Sequence, residues 1–445
     1  MIRKTSLETW PPYVFSNYAL ISSESIKNER LMCIDTNSLK LSTTLARRNE
    51  IIAPVDWYEI KIKYRWKQVM PNGYQLLVAN DGRITNINIE DIKALNGDVW
   101  IATPKNMPDS KVSCSQQKEN LFSYICYFAG DGYRRRGNEI VLSVDDIGMF
   151  NNIKNLCKNV FNYDIPNEEY WKNKILNNEG KCFNIRVGAT KANMILDELQ
   201  LPEGKKNDII SIPNKFLRMP AKTLIKYGLT SLIETDGHVE DVRIRYATTS
   251  WKLALQVFFI YLKANLQPNF EKVYQPLNGK IFHRYVVGLS GIRQLKKLRE
   301  LGFELKHNKK EFRLQIELSK NLPLRRSEGI IPSEIIQPTL RHIIKKFNVD
   351  IKELSKISNL PLGTLRCYLA PNVKPNISVI RAQRITNSLK EMCNENFTSL
   401  TKLCYSGVHW CKIVNINKIP KPNIGSIPKF YMKDKILASN LIFMS

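Results

Sequence analysis

One pattern occurs twice in this chain, and it constrains the fold more than any other feature. Leu121 to Ala129 is apolar at helical spacing and runs into Gly130-Asp131-Gly132; Ala221 to Glu234 is apolar at helical spacing and runs into Thr235-Asp236-Gly237. The two aspartates are 105 residues apart. The first helix leads into a hairpin-like stretch, a helical period from Val144 to Phe161, strands through Phe183 to Val187, and a short amphipathic helix from Lys191 to Leu201. The second leads into a strand at Val242 to Ala247, a helix at Trp251 to Ala264, strands around Glu271 to Val273 and Tyr285 to Leu289, and a helix at Ile292 to Leu301. A long-period repeat of this kind predicts two like halves sharing one core.

The ends of the two helices carry the chemistry. Cys126 and Gly130 in the first, and Ser231 and Thr235 in the second, are small residues four apart on one helix face, which predicts close side-by-side packing of the pair. Gly132 and Gly237 are expected to close the helices in a left-handed turn. Packing of this kind brings Asp131 and Asp236 together at one end, where like charge and the negative helix termini repel. A cation relieves that repulsion. Mg²⁺, or Mn²⁺, is the hard oxygen-seeking ion for such a site, with Asp131 and Asp236 as carboxylate ligands beside the backbone of Gly130 and Thr235. Paired carboxylates with a divalent metal match in-line phosphodiester hydrolysis.

The charge balance points to the same substrate class. With 67 Lys+Arg against 41 Asp+Glu, the net charge is +26, the footprint of a protein that binds a polyanion, most often nucleic acid. Hydrophobic and charged contents of 43% and 24% exclude a mostly disordered chain. The apolar run Val257 to Leu262 is too short to span a bilayer, and Trp10-Pro11-Pro12 stands where a signal peptide needs its apolar stretch. Nine scattered cysteines read as reduced thiols, so the expected location is intracellular, wherever the target DNA lies.

Residues 121–132 and 227–237 resemble the two dodecapeptide motifs of a single-chain LAGLIDADG homing endonuclease, with similar surroundings over roughly 115–305. The first motif departs from the family at Ile125 and Cys126, where Ala and Gly are usual; the second has Ser231 for Gly and keeps Glu234-Thr235-Asp236-Gly237. The resemblance implies cleavage of double-stranded DNA at a long site by a monomer with internal pseudo-two-fold symmetry. It implies a catalytic basic residue from a strand of each half, assigned to Lys272 in the second and to Lys172, with Lys174 as the alternative, in the first. It also implies a saddle of strands on the duplex, for which Arg134, Arg135, Arg136, Arg243 and Arg245 are the candidate DNA contacts.

Intein-encoded members of that family lie inside a β-rich protein-splicing (Hint) domain. Tyr74 to Val78, Asn88 to Leu95 and Asn96-Gly-Asp-Val-Trp-Ile101 resemble its strands, and Phe430 to Ser445 its closing ones. The assisting His is missing around Pro71-Asn72-Gly73-Tyr74, and the terminus lacks His-Asn, so Cys33 has neither splicing partner. A splicing-dead remnant is expected. Between these flanks, Asp350 to Asn359, a Leu-Pro-Leu-Gly363 turn and Thr364 to Leu369 fit a helix-turn-helix, with Ile351, Leu354, Ile357, Leu360, Leu365 and Tyr368 inside and Thr364 and Arg366 outward on the recognition helix.

The expected architecture is α+β, with two αββαββα-like repeats in an endonuclease core. Its segments are a β-rich Hint-like part at 1–112, the core at 113–325 (repeats about 115–215 and 216–325), a helix-turn-helix-like module at 326–400 and a β return segment at 401–445. Two alternatives stand beside the endonuclease: a cleavage-inactive transcriptional regulator with the same fold, and an RNA maturase.

Overall fold

The computed structural model describes residues 13–15, 20–22, 30–35, 38–45, 47–52, 56–63, 67–72, 74–80, 83–110, 112–165, 170–171, 182–199, 208–277, 280–320, 329–373, 375–421, 426–431, 435–439 and 442–444. The fold is mixed α and β. It divides into two compact units: Met1–Asn17, Ile21–Asn106 and Glu328–Ser445 form one, and Tyr18–Leu20 with Met107–Ser327 the other. The first unit is therefore assembled from chain segments on both sides of the second.

In the first unit the early strands pair with late ones. Trp100–Pro104 lies between Gln75–Asn80 and Val408–Ile419, with Ile101 opposite both Val78 and Cys411. Arg30–Asp35 pairs with Lys435–Ser439, placing Cys33 opposite Leu437. Alternation accounts for the core: Ile60 and Ile62 point inward on Trp57–Ile62 while Lys61 between them is exposed, the period-2 rule of a half-buried strand. Trp57, Met70, Leu76, Val78, Ile89, Ile101 and Cys411 close one cluster.

The same unit holds five helices among the described residues between Ser333 and Cys404. Asp350 starts Ile351–Ser358 by accepting from the Lys352 amide at 2.9 Å, and Asn359 ends it at φ 51°, the left-handed closure Asn tolerates. Leu362–Leu369 follows after Pro361. Leu354, Leu360, Leu365 and Tyr368 are buried as the spacing predicts, but Ile351 is half-exposed and Ile357 is 38% exposed. Arg341 and Arg381 are structural ties: Arg341 donates to the carbonyls of Leu369 and Ala370 at 2.9 and 3.0 Å, and Arg381 to the Tyr368 hydroxyl at 2.8 Å.

The second unit is built on two helices. The first is Gln116–Asp131, started by Ser115. The second winds as Ala221–Thr223, then a wider π-type stretch Leu224–Leu229, then Thr230–Asp236; the Asp109 carboxylate caps its start through the Ala221 amide at 2.7 Å. Each helix runs straight into a four-stranded sheet. The first sheet is ordered Gly132–Arg134, Ile140–Val144, Cys182–Val187, Tyr170–Trp171; the second is Gly237–Glu240, Arg243–Thr248, Lys280–Ser290, Asn269–Leu277. Both take their strands in the chain order first, second, fourth, third. Helices Ile147–Phe161 and Trp251–Lys263 lie between second and third strands of their halves, and Ala189–Leu199 and Ile292–Glu300 follow the fourth. A further helix, Asn308–Ser319, follows the second half.

Candidate functional site

The two Asp-Gly helices run parallel and in close contact. Glu119 accepts from the Thr223 hydroxyl at 3.2 Å, the hydroxyls of Ser123 and Ser231 are 2.8 Å apart, and the Tyr127 hydroxyl donates to the Glu234 carboxylate. A Cβ on Gly130 would run into the Thr235 side chain, and one on Gly228 into the Phe122 ring. Gly130, Ser231 and Thr235 thus lie in the helix interface, and Cys126 is fully buried. Ser123 and Gly228 extend the small-residue stripes one turn earlier, a signal the sequence carries but which the spacing of four from Cys126 and Ser231 did not reach.

Parallel packing sets Asp131 and Asp236 at the same end. Asp131 is half-buried and Asp236 exposed. Their charges meet on two groups. The fully buried Tyr246 hydroxyl is pushed well up, first by burial and then by Asp236, Cys126 and Asp131. The second is the Lys310 ammonium, whose pKa burial lowers while Asp131, Asp145, Asp236 and Glu234 act to raise it.

Gly132 and Gly237 depart from the left-handed closure expected of them. Their φ values are −78° and −94°, extended backbone open to any residue. Glycine is needed there for space: a Cβ at 132 would sit 2.7 Å from the Phe128 carbonyl oxygen, and one at 237 only 2.5 Å from the Ile233 Cα and carbonyl oxygen. The chain turns from helix to strand within one residue, which sets each aspartate at the root of its sheet.

Register sorts the predicted basic residues by face. His238, Arg245 and Gly288 share one cross-strand row, and Glu240, Arg243 and Ser290 another on the same face; Arg243 and Arg245 are exposed. Lys272 pairs with Tyr285, which pairs in turn with Thr248, on the opposite face with Phe270, and its ammonium lies 5.4 and 5.5 Å from the Tyr274 and Tyr285 rings. In the first half, Arg134 shares a row with Ile140 and Val187 and donates to Asn138 at 3.1 Å, and Arg135 pairs with Glu139 at 3.5 Å. For Arg136 only the backbone is described, and Lys172 and Lys174 lie outside the described residues. Tyr133, Val141 and Arg186 form the row that corresponds to His238, Arg245 and Gly288; Arg186 is half-buried there and Val141 beside it fully buried. Thr364 is half-buried and Arg366 exposed.

Glu234 and Lys310 were not singled out by spacing. Glu234 is buried, accepts from Tyr127 and from the amides of Lys306 and His307, and burial pushes its carboxyl up to about 7. Lys310 is invisible as a site residue in sequence because the helix that carries it is far from either motif along the chain. The hairpin turn after Glu240 holds Asp241 and Val242 at φ 52° and 56°, a region a β-branched residue rarely enters. The Glu317 carboxylate holds it there through the Val242 amide at 2.8 Å.

The donor chemistry fits a hard divalent ion. Two carboxylates and helix-end carbonyls are all oxygen donors; of those carbonyls, Thr235's already accepts from Lys310 at 2.9 Å. Among the described residues no cluster of three or more His, Cys, Asp or Glu is gathered to hold a metal, so an ion at the pair would draw its remaining ligands from water and substrate phosphate, as Mg²⁺ commonly does.

No protein-family model matches the chain, and no curated protein matches it. Among solved structures, full-length DUF199/WhiA from Thermatoga maritima aligns at 12% identity over 67% of this chain and 94% of that one, with a TM-score of 0.29. A mesophilic variant of the homing endonuclease I-DmoI aligns at 12% identity over 43% of this chain and 99% of that one, with a TM-score of 0.28. Likenesses at this level assign neither fold nor function. Among the described residues no helix is long and apolar enough to cross a membrane.

Proposed function

We propose that this protein is a homing endonuclease that hydrolyses phosphodiesters in double-stranded DNA at a long target site. The observation that carries this reading is the carboxylate pair at the like ends of two parallel, tightly packed helices, each rooted in its own sheet. Asp131 and Asp236 would hold Mg²⁺ or Mn²⁺ with the Gly130 carbonyl, and the ion would activate water and stabilise the leaving oxygen. Arg243 and Arg245, exposed on one face of the second sheet, would meet the phosphates, with Arg134, Arg135 and Arg136 as the first-half contacts. Lys272 would be the catalytic basic residue of the second half, on the face it shares with Phe270 and Tyr246. Thr364 and Arg366 would add base or phosphate contacts from the module at 326–400. The β-rich segments at 1–112 and 401–445 would be a splicing-dead Hint-like domain; the buried Cys33 thiol, 3.2 Å from the Ser42 hydroxyl, suits a structural cysteine better than a nucleophile. The enzyme would act as a monomer, inside the cell.

A cleavage-inactive DNA-binding regulator is the second reading, favoured by Lys310, since a cation already lies at the acid pair. Plasmid cleavage against a library of genomic or randomised targets separates the two. Linearisation with Mg²⁺ that EDTA abolishes, and that Asp131→Asn and Asp236→Asn each lose, supports the endonuclease. Specific duplex binding with no cleavage supports the regulator.

A further inference from the structure

Lys310 is held in place by more than its own contacts. Three carboxylates fix the backbone that delivers it: Glu234 accepts from the amides of Lys306 and His307, Asp146 from Asn308 at 3.1 Å, and Glu311 from Leu305 at 2.9 Å. Glu311 is itself fixed by Arg299 at 2.7 Å. From this clamped turn the Lys310 ammonium reaches the end of the second Asp-Gly helix and donates to the carbonyls of Ile233, Glu234 and Thr235 at 3.1, 2.6 and 2.9 Å. Those carbonyls form the negative end of the helix dipole, where a cation is favoured. The parallel register of the two helices sets Asp131 and Asp236 at that same end, so the ammonium lies at the end the two acids share.

We infer that Lys310 is a built-in counter-cation for the Asp131–Asp236 pair and lowers the affinity of that pair for a divalent ion. The inference rests on the metal-binding reading above. Two carboxylates and two helix C-termini add negative charge at this end, and a cation there offsets part of it. With Lys310 in place the pair tolerates the absence of metal, and an arriving divalent ion must bind against a fixed positive charge. The free protein then keeps its helix pair intact without metal, and the ion binds firmly only when substrate phosphate supplies further negative ligands.

The test measures metal binding without substrate, by calorimetric titration of Mn²⁺ into the full chain. Lys310→Gln keeps hydrogen-bond donors for the carbonyls and removes the charge; Lys310→Met removes both. Both variants are expected to bind Mn²⁺ about tenfold tighter or more than wild type, since a neighbouring like charge is worth at least that at the dielectric of a partly buried site. Melting of Lys310→Gln is expected to be lower than wild type in EDTA and restored by Mn²⁺, a rescue that a purely structural cap would not show. Asp236→Asn placed on Lys310→Gln should recover the melting temperature without metal. If wild type binds Mn²⁺ through Asp131 and Asp236 but the Lys310 variants bind no tighter, the counter-cation role is overturned and the metal site stands. If neither wild type nor the Lys310 variants bind Mn²⁺, both are overturned.

Discussion

Glu234 is a carboxylate placed where a charge is costly. It is 1% exposed, and burial raises its pKa from 4.5 to about 7 against the opposing bonds from Tyr127, Lys306 and His307. Between those two values the folded protein keeps a proton that the unfolded chain releases. Stability from this group is therefore complete below the unfolded value and falls as pH rises through the window. The shift corresponds to an upper limit of about 3 kcal/mol. Glu234→Gln removes the titration, so the melting temperature of wild type relative to the variant is expected to drop between pH 5 and pH 8. Parallel melting curves across that range would mean that Glu234 stays ionised in the fold. The same residue joins both Asp-Gly helices to the turn that presents Lys310, so its protonation bears on site geometry as well as stability.

At the scale of the element, the helix pair depends on missing side chains. Gly130 lies against Thr235, and Thr235 fixes its own hydroxyl on the Leu232 carbonyl at 2.9 Å, so it cannot swing aside without breaking that bond. Gly130→Ala should destabilise the protein by about 1–3 kcal/mol, the usual cost of overpacking, despite the better helix propensity of alanine. A double-mutant cycle with Thr235→Gly, followed by urea unfolding, should return a coupling of on the order of 1 kcal/mol or more; strictly additive effects would place the two residues out of contact. This interface was legible in outline. Small residues four apart disclosed which faces meet, and the repeat disclosed that two halves exist. The π-type winding at Leu224–Leu229 was not legible, because the Thr230 hydroxyl bonding to the Ile225 carbonyl at 3.0 Å is a choice of hydrogen-bond partner that leaves the apolar pattern unchanged. The role of Gly132 and Gly237 was misread for a related reason: an Asp-Gly helix end looks the same in sequence whether glycine supplies a positive φ or an empty volume. The face of Lys272 was not legible either, because it follows from the strand register, fixed by pairing with Tyr285. Lys310 left no sequence signal, since its place follows from three carboxylates that clamp a distant turn.

At the scale of the whole molecule, a net charge of +26 makes the proposed affinity for DNA an ionic-strength question before it is a sequence question. Each phosphate neutralised by Lys or Arg releases condensed counterions, so the logarithm of the binding constant falls with the logarithm of salt by about 0.9 per contact. Arg243 and Arg245 project from one sheet face, exposed, two residues apart in the strand and in adjacent rows with Glu240 and His238. His238 and Glu240 bond each other at 2.7 Å, which directs that acid toward the histidine. If both arginines meet phosphate, replacing them together by Gln should reduce the magnitude of the salt slope by about 2 on any duplex. If one reads a base, the slope should fall by about 1 and discrimination at one position of the preferred site should drop. Lys272→Gln is the control from the opposite face and should leave the slope unchanged. Fluorescence anisotropy of labelled duplexes across a salt series measures all three, and an unchanged slope in the double-arginine variant would move the DNA interface off this sheet.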